Sequence, residues 1–166
     1  MRLGTAASGK VPQSHAHLLK DGECTGPLAW KSLAHPYETD ILEITFDELA
    51  APHMSLADWR SVLYALLEGA SDCLDISRDD IDGALYPKAH HQIALVLFDT
   101  VTGGASSALR IAQAFPQVLA TALRQVTRCD CGAETSCYGC LRNFRNQTVR
   151  DQLTRGAALN FLERLV

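Results

Sequence analysis

The chain has no long hydrophobic run. Its longest apolar stretch is IALVLF at 93–98, whereas a membrane-spanning helix needs about 20 apolar residues. The first ten residues, MRLGTAASGK, hold no apolar segment of the kind a secretory signal uses. A soluble, cytoplasmic protein with no membrane partner is therefore expected. A basic excess is also missing: 15 Lys and Arg stand against 19 Asp and Glu, a formal net charge of −4. That argues against a protein dedicated to coating nucleic acid, which would carry a strong positive balance. Aromatic residues make up only 7%, and there is neither an internal repeat nor a low-complexity segment. What remains is a chain of 166 residues, 47% hydrophobic, enough for one domain with an apolar core and too short for two full ones.

Residues 1 to 34 contain Gly, Pro, Ser and His without periodicity and read as irregular, with a short strand near LAW at 28–30. The ordered domain is expected over 35–166. DILEITF at 40–46 has strand character. In SLADWRSVLYALLEGASDCLD, Trp59, Leu63, Leu66 and Ala70 recur at helical spacing, and Ser55 with Asp58 three residues on resembles a capping pair. ISRDDIDGALYP combines turn chemistry with strand character, and HHQIALVLFD follows as a buried strand. A helical pattern spans 106–127 through Leu109, Ala112, Val118, Leu119 and Leu123, divided by Pro116, which lacks the N–H that a helix interior needs. Val149, Leu153, Ala157, Phe161 and Leu165 fall four apart and predict one final amphipathic helix. Strands interleaved with helices imply a mixed α/β fold with flanking helices.

Four of the six cysteines crowd into CDCGAETSCYGC, as Cys129, Cys131, Cys137 and Cys140, in the pattern C-x-C-x5-C-x2-C. Short ligand spacings of this kind suit a tetrahedral Zn2+ held by four thiolates. Disulfides fit poorly, because a cytosolic compartment keeps thiols reduced and two bridges inside one tight loop would be strained. A C-x2-C pair by itself is also compatible with a redox centre. Four sulfurs fill the coordination shell of zinc, so the metal is expected to be structural. Cys24 reads as an ordinary free cysteine and Cys73 as a small buried apolar residue.

Charge is unevenly distributed. Seven Arg lie between Arg124 and Arg164 against four acidic residues, a local +3 that leaves −7 elsewhere. These arginines either balance the formal charge of about −2 on a zinc tetrathiolate or form a surface for phosphates. Other motifs are weaker. GTAASGKV at 4–11 has phosphate-loop spacing, yet Val11 replaces the magnesium-binding Ser or Thr and no strand precedes it. The Asp99–Gly104 loop in LFDTVTGGASS resembles the ribose-phosphate loop of phosphoribosyltransferases. That family usually has two adjacent acids and a fuller Thr-Thr-Gly run, whereas here Phe98 precedes Asp99 and Thr102 stands alone, so the loop reads foremost as a tight strand-to-helix turn that needs Gly103 and Gly104 for backbone freedom and uses Asp99 locally. His90 and His91, neighbours beside a strand, face opposite ways and cannot easily share a metal. His15 and His17 would share a face in extended chain, and His35 stands apart. No complete catalytic set is legible.

CDCGAETSCYGCLRNFRNQ, followed by QLTRGAALNFLERL, resembles the zinc-binding C-terminal domain of bacterial superfamily 2 (DEAD/DEAH-type) helicases, the MrfA-like zinc-binding domain. Members of that family include a mitomycin-repair helicase and a helicase-domain protein of a phage-defence system. HPYETDILEITF is similar to its early His and Thr-Asp strand segment, here His35, Thr39 and Asp40, and LFDTVTGGASSALRIAQ to its strand, double-glycine and helix segment. Arg150 stands where relatives often have histidine, and Leu153-Thr154-Arg155 replaces a frequent Leu-Asp-Arg. The resemblance implies Cys129, Cys131, Cys137 and Cys140 as ligands of one structural zinc. It further implies a non-catalytic accessory domain of a helicase-type DNA-processing, DNA-repair or phage-defence assembly, docking on a helicase motor or subunit. Arg142, Arg145 and Arg150 are the candidates for contact with DNA or RNA. The alternatives are an interaction scaffold with no nucleic-acid role and an enzyme using the Asp99–Gly104 loop.

Overall fold

The computed structural model describes residues 14–17, 19–24, 26, 36–46, 54–89 and 92–166. His35, His90, His91, the 4–11 loop and the LAW segment lie outside these residues, as does the expected boundary at 34/35. The chain divides into two compact units, Met1–Pro36 and Tyr37–Val166. In the first, strands β1 (His15–Ala16) and β2 (Glu23–Cys24) pair antiparallel, and the Ser14 hydroxyl donates to the Glu23 carboxylate at 3.1 Å.

The second unit begins with β3 (Ile41–Ile44), followed by helix α1 (Leu56–Leu74). Ser55 and Asp58 form the capping box their spacing predicts: each side chain accepts the other's backbone N–H. Strands β4 (Ile81–Pro87) and β5 (Ile93–Asp99) come next. The sheet is antiparallel throughout, in the order β3-β5-β4, with Leu97 opposite both Leu42 and Gly83. The apolar run therefore occupies the centre, where both edges of a strand are paired. Its even-spaced partners Leu95 and Leu97 are fully buried beneath α1. Gly83 permits the close fit, since a Cβ there would lie 2.7 Å from Leu63 Cδ1.

Helix α2 (Ser107–Gln113) and helix α3 (Phe115–Arg128) are separated at Ala114, with Pro116 in the first turn of α3, where a missing N–H costs nothing. Along α2 the buried residues are Ser107, Ala108 and Ile111, while Leu109 is exposed. Helix α3 crosses α1 so closely that a Cβ on Gly69 would meet the Ala122 backbone at 2.8–2.9 Å. Val62, Ala65 and Leu66, within the two turns before Gly69, are buried as well.

The last element departs from expectation. Instead of one helix through 149–165 there is a 3-10 turn at Arg150–Gln152, a break at Leu153–Thr154, and a short helix α4 at Arg155–Leu162. Leu153 is buried outside any helix, and α4 inserts Ala158, Phe161 and Leu162 into the core. Phe161 packs edge-on against Phe46 (4.9 Å between centroids) and Trp59 (5.3 Å), joining the segment after β3, α1 and α4. No helix among the described residues is long and apolar enough to cross a membrane.

Candidate metal centre

The segment between α3 and the 3-10 turn carries little apolar surface of its own. Of residues 129–152 only Ser136, Cys140, Leu141 and Asn146 are buried. Its shape comes from hydrogen bonds directed at a group of sulfurs. Cys129 is the residue at which α3 unwinds into extended chain, and Cys131 follows in a bend. Cys137 starts a tight turn in which the N–H groups of Cys140, Leu141 and Arg142 all donate to its carbonyl, at 3.2, 3.1 and 3.0 Å. That turn folds Cys140 back beside Cys137.

The four sulfurs all lie within 4.8 Å of one another. Four of the pairs measure 3.5 Å (Cys129–Cys131), 3.4 Å (Cys129–Cys137), 3.7 Å (Cys131–Cys140) and 3.9 Å (Cys137–Cys140). A zinc ion bonded to four sulfurs at about 2.3 Å spaces them about 3.8 Å apart along the edges of a tetrahedron. The donor set fits. All four are free thiols, separated by far more than the roughly 2.05 Å of a disulfide bond.

The thiols stand in unequal surroundings. The Cys131 N–H holds the Cys129 thiol below the ordinary range, against the opposing effect of burial. Burial pushes Cys131 and Cys140 up. Thiolates this close repel one another, so the four ionise together only around a cation, which deprotonates coordinating thiols outright. Two N–H groups already point at sulfur: Gly139 donates to Cys137 Sγ and Cys137 to Cys140 Sγ, both at 3.3 Å. Such donors stabilise negative sulfur.

Around the sulfurs sits a supporting layer that the cysteine spacing does not reveal. The Arg155 guanidinium donates to the carbonyls of Cys131 (2.9 Å) and Val126 (3.0 Å), tying the loop to the last turn of α3. The N–H groups of Arg155 and Gly156, at the start of α4, donate to the carbonyls of Thr135 and Ala133. On the far side, Asn143 and Asn146 exchange backbone-to-side-chain bonds at 3.0 Å, and the buried Asn146 amide donates to the Leu141 carbonyl at 2.7 Å. Two asparagines three apart are a legible signal for such a turn.

The three candidate arginines all have intramolecular partners. Arg142 Nε donates to the buried Ser136 hydroxyl at 3.0 Å. Arg145 reaches back to β4, donating to the Asp79 carbonyl at 3.0 Å and lying within ion-pair range of Asp79 and Asp82. Arg150 lies 3.6 Å from the exposed Asp151.

The Asp99–Gly104 loop sits elsewhere and behaves as a turn. Asp99 is fully buried, and its carboxylate accepts the N–H groups of Ala105, Ser107 and Ala108 at the start of α2. Gly103 and Gly104 have φ of +88° and +77°, and a Cβ on Gly104 would strike the Asp40 carboxylate at 2.6 Å. His17 lies in the first unit, where its Nδ1 accepts the Leu19 N–H. Among the described residues only the four cysteines form a group able to hold a metal.

Residues 62–141 match the family described as the MrfA Zn-binding domain, a span that opens inside α1 and closes one residue past Cys140. The chain is 29% identical over 157 residues to the Druantia protein DruE of Escherichia coli (strain UMEA 4076-1), covering 82% of this chain and 8% of that one. Among solved structures it resembles the DUF1998 helicase MrfA bound to DNA, with a TM-score of 0.51 and 16% identity, covering 70% of this chain and 16% of the other. The chain thus spans a small fraction of the length of both relatives. Family and sulfur geometry agree on a zinc site.

Proposed function

We propose that this chain, whose residues 62–141 match the MrfA Zn-binding domain family, is a non-catalytic accessory domain of a helicase-type DNA-processing or phage-defence assembly, built around one structural zinc. Cys129, Cys131, Cys137 and Cys140 each contribute one thiolate. The observation that carries this is the mutual 4.8 Å limit of the four sulfurs, which fills a tetrahedral shell and leaves no position for water or substrate. Zinc there joins the end of α3, the loop and, through Arg155, the start of α4.

The partner is a helicase motor, a reading supported by the likeness to the DNA-bound helicase MrfA. Nucleic acid runs close by, with Arg142, Arg145 and Arg150 facing its phosphates. Zinc content is measured first, with about one ion per chain expected. Charge reversal of Arg150, whose side chain is 47% exposed, should then lower the salt dependence of nucleic-acid binding by about one unit of slope. An unchanged slope in all three single reversals rejects the phosphate contact.

A second reading, a protein-interaction scaffold with no nucleic-acid role, draws on the intramolecular partners of all three arginines and the net charge of −4. Recovery of an intact helicase complex after nuclease treatment, with no nucleic acid in it, favours that reading.

A further inference from the structure

The zinc loop displays two aromatic rings that its own folding does not use. Tyr138, between Cys137 and Cys140, is 67% exposed, and Phe144, four residues past Cys140, is 83% exposed. An isolated exposed aromatic is unremarkable on a protein surface. These two occupy fixed supports. Tyr138 lies within the turn closed on the Cys137 carbonyl. Phe144 stands at the tip of the Asn143–Asn146 turn, whose polar groups are paired internally and whose base, Asn146, is fully buried. The backbone is thus held rigid while the ring is left in solvent.

The surroundings discriminate between partners. From Thr135 to Arg150 the sequence TSCYGCLRNFRNQTVR contains three arginines and no acidic residue. Its aliphatic members are withdrawn: Leu141 is buried and Val149 half-buried. Exposed in the same stretch are Arg145, Gln147, Thr148 and Arg150, the last next to the exposed Asp151. A protein-docking patch would surround an aromatic anchor with further apolar contact area. Separate rings among arginines and neutral donors, with Asp79 and Asp151 already held by Arg145 and Arg150, match instead a surface for an unpaired strand, whose bases stack on aromatic faces while arginines follow the phosphates. Asp79 and Asp82 engage the Arg145 guanidinium through Nε and both terminal nitrogens, which fixes its position.

We propose that Phe144, with Tyr138, forms a stacking platform for the unpaired bases of single-stranded nucleic acid. This rests on the nucleic-acid reading above, and it adds that the strand is single and that affinity comes from base stacking as well as charge. Duplexes, whose bases are already stacked, gain nothing from these rings.

The test uses the full chain loaded with zinc, with oligo-dT, oligo-U and a duplex of equal length as probes. Phe144→Ala should weaken oligo-dT or oligo-U binding about 5- to 150-fold, leaving the salt slope, the zinc content, the melting temperature and duplex binding unchanged. Tyr138→Ala should have a smaller effect of the same kind. Phe144→Trp should retain affinity, with its fluorescence quenched on binding. The ratio of the oligo-dT and oligo-U losses identifies DNA or RNA as the source of the strand. If Phe144→Ala binds single strands as the unaltered chain does while the arginine reversals weaken binding, the platform is wrong and the phosphate contact stands. No binding to any strand by the unaltered chain overturns both. Loss of association with a helicase motor alone, with strand binding intact, would reassign Phe144 to protein docking.

Discussion

Two parts of the same domain are held together by different physics. Around α1 and β5, stability comes from apolar burial: Leu66, Leu67, Leu95, Leu97 and Ile111 are wholly inaccessible, each worth roughly 1.5–3 kcal/mol against exposure. Between Cys129 and Gln152 only Cys140 and Leu141 supply comparable burial. There the chain is shaped by four sulfurs, by N–H groups aimed at them, and by Arg155 and Asn146 acting on backbone carbonyls. A segment too polar to collapse acquires a fixed form by organising around a cation. The two parts share Phe161 and Leu153, which α4 and its approach place in the core.

The largest expected effect breaks the sulfur side. Cys140→Ser, or chelation, should take zinc from about one per chain to near zero. Structural zinc contributes an apparent ~10–16 kcal/mol in small peptides, as much as a domain's whole stability. Amide-exchange protection over 129–162 should therefore collapse first, ahead of β5. The same stability should depend on pH. Metal-bound thiols titrate below their unfolded value of about 8.5, so the zinc contribution is complete above that value and is lost as pH falls and protons displace the metal. Zinc release followed by a chromogenic chelator during acid titration measures this; release on raising the pH instead would contradict it.

Phe161→Ala attacks the shared residue and should cost about 3–5 kcal/mol in denaturant unfolding, while zinc remains bound to the folded fraction. Equal zinc loss in native conditions would mean that the two parts are less separable than the bonding suggests. Gly69→Ala is smaller, about 1–3 kcal/mol, because the α1–α3 crossing must open to admit one methyl group. A neutral result would show that α3 shifts freely against α1, and with it Cys129.

Helix α1 was fully legible from its capping pair and its Trp59, Leu63, Leu66, Ala70 stripe, and β5 from its apolar run, because both patterns report local periodicity and burial together. The division at Pro116 was legible for the same local reason. The final helix was not. A spacing of four from Val149 to Leu165 suggested continuity, yet the Thr154 N–H is taken by the Ser61 hydroxyl and those of Arg155 and Gly156 by the cysteine loop. Those partners lie far away in the chain, so α4 starts where the loop releases it. Arg155 and the link from Arg145 to Asp79 escaped notice on the same ground.

The sequence by itself determined that four thiols stand close enough to share one metal, since ligands separated by only a few residues cannot move far apart. It also determined where the central strand and the long helix run, through patterns carried by consecutive side chains. Only the tertiary structure decided where the last helix begins, which arginines brace the loop and which aromatic rings remain in solvent. Those outcomes depend on backbone and side-chain partners 24 to 93 residues away, and hydrogen bonds across such separations exist only once the intervening chain has folded.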